Sequence, residues 1–162
     1  MGNASQAELS SLTIRNRYGI LSSMQRHNIG YLAGLIDGEG CISAYYDKNN
    51  ASPRIRVSVV NTDKKMIDWI KKYYGGYTHH RRFRQDNWKD CYAWIINPSR
   101  KDKSLIESLI PLLITKKRQM KLVLEYIVSL NNHGEKTSKK VKRRRVEIYQ
   151  RLKVLNSGSD ND

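Results

Sequence analysis

What this sequence lacks narrows its function before any motif is read. No uninterrupted apolar run comes near the roughly 20 residues that span a bilayer. No hydrophobic stretch follows the N-terminus, so neither a membrane partner nor a secretory signal is expected. Cysteine is scarce. Cys41 and Cys91 are 50 positions apart, with no CxxC or His/Cys spacing, so neither a zinc site nor a disulfide framework is indicated. An intracellular, reducing compartment fits, in an organelle or a prokaryotic cytoplasm. Acids are also few: 15 Asp and Glu stand against 30 Lys and Arg, leaving a net charge of +15. That excess calls for a polyanionic partner, and nucleic acid is the expected one. At 162 residues the chain has room for one domain with a real core, and too little for two.

The hydrophobic period divides the chain into elements. Residues 1–27 read as an N-terminal extension, 28–155 as the folded domain and 156–162 as a disordered polar tail. Within the extension, Leu9, Leu12, Ile20 and Leu21 suggest a short helix over 6–24, interrupted by Gly19. Arg15, Arg17, Arg26, several serines and the single acid Glu8 also suit a transit peptide, which stays open as an alternative. Asn28 offers an N-cap for a helix running to Asp37, which Gly38 to Gly40 would break.

From residue 41 the period becomes two. Ile42, Ala44 and Tyr46 fall on one face of a strand, with Ser43, Tyr45 and Asp47 on the other. After a turn over 48–53, residues 54–61 set Ile55, Val57 and Val59 against Arg54, Arg56 and Ser58. A helix follows from Asp63 to the Gly75-Gly76 stop. Strands are expected over 77–84 and 91–97, then helices over 104–113, 115–130 and 138–155.

The most informative stretch is Gly30-Tyr31-Leu32-Ala33-Gly34-Leu35-Ile36-Asp37-Gly38-Glu39-Gly40. Glycine costs about 1 kcal/mol against alanine inside a helix. Gly30, Gly34 and Gly38 nevertheless recur at four-residue spacing and share one face, a strip where another backbone can approach. Asp37 and Glu39, two positions apart, do not face each other and have different roles. Residues 32–40 resemble the LAGLIDADG motif of homing endonucleases and related RNA maturases, with Glu39 for the usual aspartate and Gly38 for alanine. No second copy follows residue 40.

That resemblance spans about 28–155. It implies an α+β fold with an αββαββα core, an antiparallel DNA-binding sheet and C-terminal helices. A single motif implies a homodimer packed along the strip of Gly30, Gly34 and Gly38, with Asp37 as a cap and interface residue. The resemblance makes Glu39 the catalytic acid and a ligand for Mg²⁺, with the Gly38 carbonyl as a second ligand. It makes Asn61 a positioner of the attacking water and places Lys65 and Lys116 near the scissile phosphate.

The polar sheet face suits the major groove, whose base edges carry a unique donor and acceptor pattern. Ser43, Tyr45, Asp47, Arg54, Arg56, Ser58, His79 and Arg81 are expected to face bases, and Arg82, Arg84 and Lys89 to touch phosphates. Adjacent strand residues point to opposite faces, so His79 and His80 are not expected to form a metal pair. The basic run over 139–145 is expected to grip phosphates, with a nuclear signal as the alternative. The expected function is a site-specific double-strand DNA endonuclease that hydrolyses phosphodiesters with Mg²⁺, as a homodimer on a long near-palindromic duplex. An RNA maturase or a non-catalytic DNA-binding protein is the alternative.

Overall fold

A computed structural model describes residues 15–16, 19–20, 23–46, 52–82, 89–131 and 137–158. Its central feature is a four-stranded antiparallel sheet. The strands are β3 (Gly40–Tyr45), β4 (Arg54–Asn61), β5 (Tyr77–Arg81) and β6 (Cys91–Ile96), in the order β3-β4-β6-β5. Register fixes the faces: Val57 lies opposite Ile42 on one side and Ile96 on the other, and Val59 opposite Trp94. These residues form the inner face, and all are at most 5% exposed. Each fully buried side chain of this kind contributes about 1.5–3 kcal/mol.

Helices cover that inner face. Helix α1 (Ser23–Glu39) contributes Leu32 and Ile36, and α2 (Lys64–Tyr74) contributes Ile67 and Ile70. The Asp63 carboxylate accepts from the Lys65 amide and caps the start of α2. Its end is the Gly75-Gly76 turn at positive φ, where the Gly75 carbonyl accepts from the Trp94 indole at 2.8 Å. The remaining helices are α3 (Lys103–Leu109), α4 (Lys117–Val128) and α5 (Lys139–Ser157). Among the described residues, no helix is long and apolar enough to cross a membrane.

Several boundaries differ from expectation. Within 6–24, the pairs Arg15–Asn16 (β1) and Gly19–Ile20 (β2) form a small antiparallel ladder, a use of Gly19 that a helix does not favour. Helix α1 starts at Ser23, so Asn28 is interior rather than a cap, and the extension gives up residues 23–27 to the domain. Gly38 does not break α1, which runs on through Glu39 and passes directly into β3 at Gly40. A Cβ on Gly40 would stand 2.3 Å from the Ile36 carbonyl oxygen, so only glycine permits that loop-free join. Strand β5 stops at Arg81 rather than at 84.

The helix expected over 104–113 tightens after Leu109 into a 3₁₀ turn, Ile110–Leu112, because Pro111 has no N–H to continue the ladder. Helix α4 covers the core of the 115–130 expectation. At the other end Asn156 and Ser157 are helical, not tail. The Asn156 amide donates to the Ile42 carbonyl at 2.8 Å, and Gly158 in the left-handed conformation ends the helix.

Candidate active site and nucleic-acid interface

Between residues 28 and 39, the exposed positions of α1 are Gly30, Tyr31, Gly34, Gly38 and Glu39. A helix face turned to water ordinarily carries charge; this one is mostly bare backbone. A Cβ added at Gly30, Gly34 or Gly38 meets nothing within 4 Å, so nothing inside the described chain requires those glycines. Apolar groups flank the strip. Tyr31 stands edge-on to Trp69 with ring centroids 5.0 Å apart, and Ile114, 87% exposed, lies beside the last turn of α1.

Asp37 ties that last turn to the start of α4. Its carboxylate accepts from the Ile114 amide at 2.7 Å, the Thr115 hydroxyl at 2.9 Å and the Lys116 amide at 2.9 Å. Burial pushes its pKa up, but the hydrogen bonds from Ile114, Lys116 and Thr115 outweigh burial and hold it below the ordinary 3.8. The Lys116 ammonium donates back to the Asp37 carbonyl at 2.6 Å, placing a cation at the negative end of α1. Asp37 therefore serves as a cap within its own chain.

Glu39 ends α1. Among the described residues it has no hydrogen-bond or ion-pair partner. The Gly40–Val59 pairing sets it next to the end of β4 that carries Asn61. There the Asn61 side-chain oxygen accepts from the Asp63 amide at 2.8 Å, forming the turn into α2, whose first turn holds the exposed Lys65. A lysine in a first helical turn is disfavoured by the helix dipole. Glu39, Asn61, Lys65 and Lys116 are thus brought to one end of the sheet. Among the described residues no cluster of three or more His, Cys, Asp or Glu exists.

The outer sheet face begins at that end. Strand register puts Ser43 opposite Arg56, Tyr45 opposite Arg54, and His79 and Arg81 on the same side as Ser58. Arg56, Ser58, His79 and Arg81 line one concavity there, together with Tyr77, Val60, Ala93 and Ile95. The last four escape a reading by residue type. Tyr77 was accessible through its i, i+2, i+4 spacing with His79 and Arg81; the β6 residues needed the register. His80 lies on the other face, bonded to Asp90 at 2.8 Å and stacked on Tyr92. Arg82 and Lys89 are exposed beside the sheet, whereas Asp47 and Arg84 lie outside the described residues.

The basic run of α5 divides. Arg144 pairs with Glu125, which Arg151 also reaches at 3.0 Å. Arg145, 8% exposed, donates to the Ser129 carbonyl at 2.8 Å and lies over the Tyr126 ring. Burial pushes the Tyr126 phenol up in pKa, an effect that the Arg145 and Arg54 charges partly oppose. Lys139, Lys140 and Arg143 stay exposed.

A sheet with one basic face, a carboxylate at its end and an open helix face beside it defines a protein built to act on a polyanion. The model of the LAGLIDADG endonuclease family matches residues 32–120, more than half of the chain, and the chain belongs to that family of homing DNA endonucleases. Its fold is similar to that of I-CvuI solved with its DNA target, with TM-score 0.67 and 23% identity over 83% of this chain and 85% of that one. It is likewise similar to the archaeal intron-encoded I-Vdi141I complexed with DNA, with TM-score 0.64 and 22% identity over 80% and 84%. I-GzeII, also solved with DNA, matches with TM-score 0.55 and 22% identity over 78% of this chain but 44% of its own length. No curated protein matches the chain significantly by sequence.

Proposed function

We propose that two copies of this chain pack along the Gly30, Gly34 and Gly38 face of α1 and cut both strands of a long, near-palindromic DNA duplex with Mg²⁺. The observation that carries this reading is the open glycine face ending in Glu39, which has no partner among the described residues. Packing there sets one Glu39 from each copy near a shared axis, one for each DNA strand. The exposed Ile114 and Tyr31 then gain cover that a single chain does not give them.

The donor set fits Mg²⁺. The Glu39 carboxylate and the Gly38 carbonyl, one of the helix-end carbonyls without an intrahelical partner, are hard oxygen ligands. A site with few protein ligands suits an ion that keeps several waters and takes phosphate oxygens as well. When bound, Mg²⁺ neutralises phosphate charge and lowers the pKa of a coordinated water. Asn61 positions the attacking water by hydrogen bonding. Lys65 and Lys116 set their ammonium groups against the phosphate, where charge builds up in the transition state. Asp37 keeps Lys116 in place. Arg54, Arg56, Ser58, His79 and Arg81 meet base edges, and the exposed cations around the sheet hold the backbone.

The test is Glu39→Gln. Expected is loss of double-strand cleavage in Mg²⁺, with duplex affinity within about twofold of the original chain. A Glu39→Gln protein that still cuts would remove the carboxylate from this role.

A further inference from the structure

Arg56 differs from the arginines that this chain pairs with its own oxygens. Arg100, Arg144, Arg145 and Arg151 each place the guanidinium on an acceptor oxygen of the protein. Arg56 is also held, but by a ring: its guanidinium carbon lies 4.7 Å from the centroid of Tyr45. Tyr45 sits opposite Arg54 and so reaches Arg56 along the diagonal of the β3–β4 ladder. The Arg56 Nε is buried with no hydrogen-bond partner, and among the described residues no acceptor binds the side chain. Burying a donor unsatisfied is costly and rare. Its result here is a guanidinium fixed by its stem, with Nε enclosed. The two terminal nitrogens remain to meet a ligand, and Arg56 lines the outer-face concavity together with Ser58, His79 and Arg81.

A terminal pair of parallel N–H donors matches two acceptors side by side, as the O6 and N7 of guanine present them in the major groove. Tyr45 has no such pattern to offer while its ring is under the guanidinium. We infer that Arg56 reads a single guanine in each half of the target and that Tyr45 is its positioning residue rather than a base reader of its own. This rests on the reading of the chain as a site-specific DNA-binding endonuclease, and assigns within it which residue fixes which class of base. A guanidinium held on a ring loses less freedom on binding than a free one, so the pairing sharpens discrimination.

Binding-site selection from a randomised duplex library, in Ca²⁺, tests the pair with the full chain and its Arg56→Ala, Tyr45→Ala and Tyr45→Phe variants. The original chain is expected to enrich guanine at one position per half-site. Arg56→Ala and Tyr45→Ala should both relax that same position, by on the order of tenfold for a bidentate contact, while Tyr45→Phe, which keeps the ring, retains it. Relaxation of different positions by the two variants, or an unchanged guanine preference in Tyr45→Ala, overturns the assignment while leaving sequence-specific binding intact. Absence of any enriched sequence with the original chain overturns the endonuclease reading as well. Thermal melting of each variant separates lost recognition from lost folding.

Discussion

Two runs stand out in this chain, the glycine-and-acid run of 30–40 and the lysine-and-arginine run of 139–145. In sequence each is uniform; in the structure each is split. In the first, Gly40 is required by the Ile36 carbonyl of its own chain and Asp37 is occupied as a cap, while Gly30, Gly34 and Glu39 have no use within the described chain. In the second, Arg144 and Arg145 are held by Glu125 and Ser129, while Lys139, Lys140 and Arg143 point to water. Residue type alone therefore does not mark a ligand contact. What marks it is a costly residue, a glycine in a helix or an unpaired charge, that the fold does not use.

The sharpest way to break that division is to change the members each run gives to the fold. Gly40→Ala drives a methyl into the Ile36 backbone and is expected to cost about 2–3 kcal/mol, read from denaturant unfolding. Arg145→Ala should cost about 2 kcal/mol by the same measurement, because it removes a buried charged donor from the half-buried Ser129 oxygens. If Arg145→Ala melts like the original chain and weakens DNA binding instead, the split of the basic run is wrong.

Asp37→Asn should cost about 1–2 kcal/mol and also change the acid limb of stability. Asp37 ionises at lower pH in the folded chain than in the unfolded one, where the ordinary value is 3.8. Its stabilisation is therefore present above that pH and drains as pH falls through the lowered folded value. A pH series of melts should show a shallower acid decline in Asp37→Asn. Because Asp37 holds Lys116, cleavage should also slow while DNA affinity stays near that of the original chain.

The residues not used by the fold should behave oppositely. Gly34→Ala places a methyl in open space within one chain and raises helix propensity by about 0.5–1 kcal/mol. A higher melting temperature in dilute protein, together with weaker self-association by sedimentation, is the expected pair of results. Unchanged association would remove the glycine face from the dimer. The smallest effect is at Lys140→Ala and Arg143→Ala. Each should leave stability within about 0.5 kcal/mol and lower the slope of log affinity against log salt by about 0.9 if its side chain grips one phosphate.

Much of this architecture was legible because local rules agreed with the fold. Alternation placed Ile55, Val57 and Val59 opposite Arg54, Arg56 and Ser58, and Gly75-Gly76 stopped α2 where expected. The element order from the motif helix through the sheet followed from period together with turn and cap residues. What escaped depends on distant contacts. Asp37 meets Ile114, Thr115 and Lys116 across 77 to 79 positions, a separation at which no local pattern operates. The burial of Arg145 depends on Ser129 and Tyr126, and the helical state of Asn156 on the edge of β3. Nor did composition separate Gly40 from the other glycines of the run. Only the direct passage from α1 into β3 does that.

We place the cutting centre where two glycine faces meet. Sedimentation equilibrium of the full chain on a duplex bearing its selected site, with Ca²⁺ in place of Mg²⁺, checks that placement. The expected complex holds two 18.9 kDa chains per duplex, and the same preparation cuts both strands once Mg²⁺ is supplied. One chain per duplex, in a preparation that still makes double-strand breaks, would contradict it.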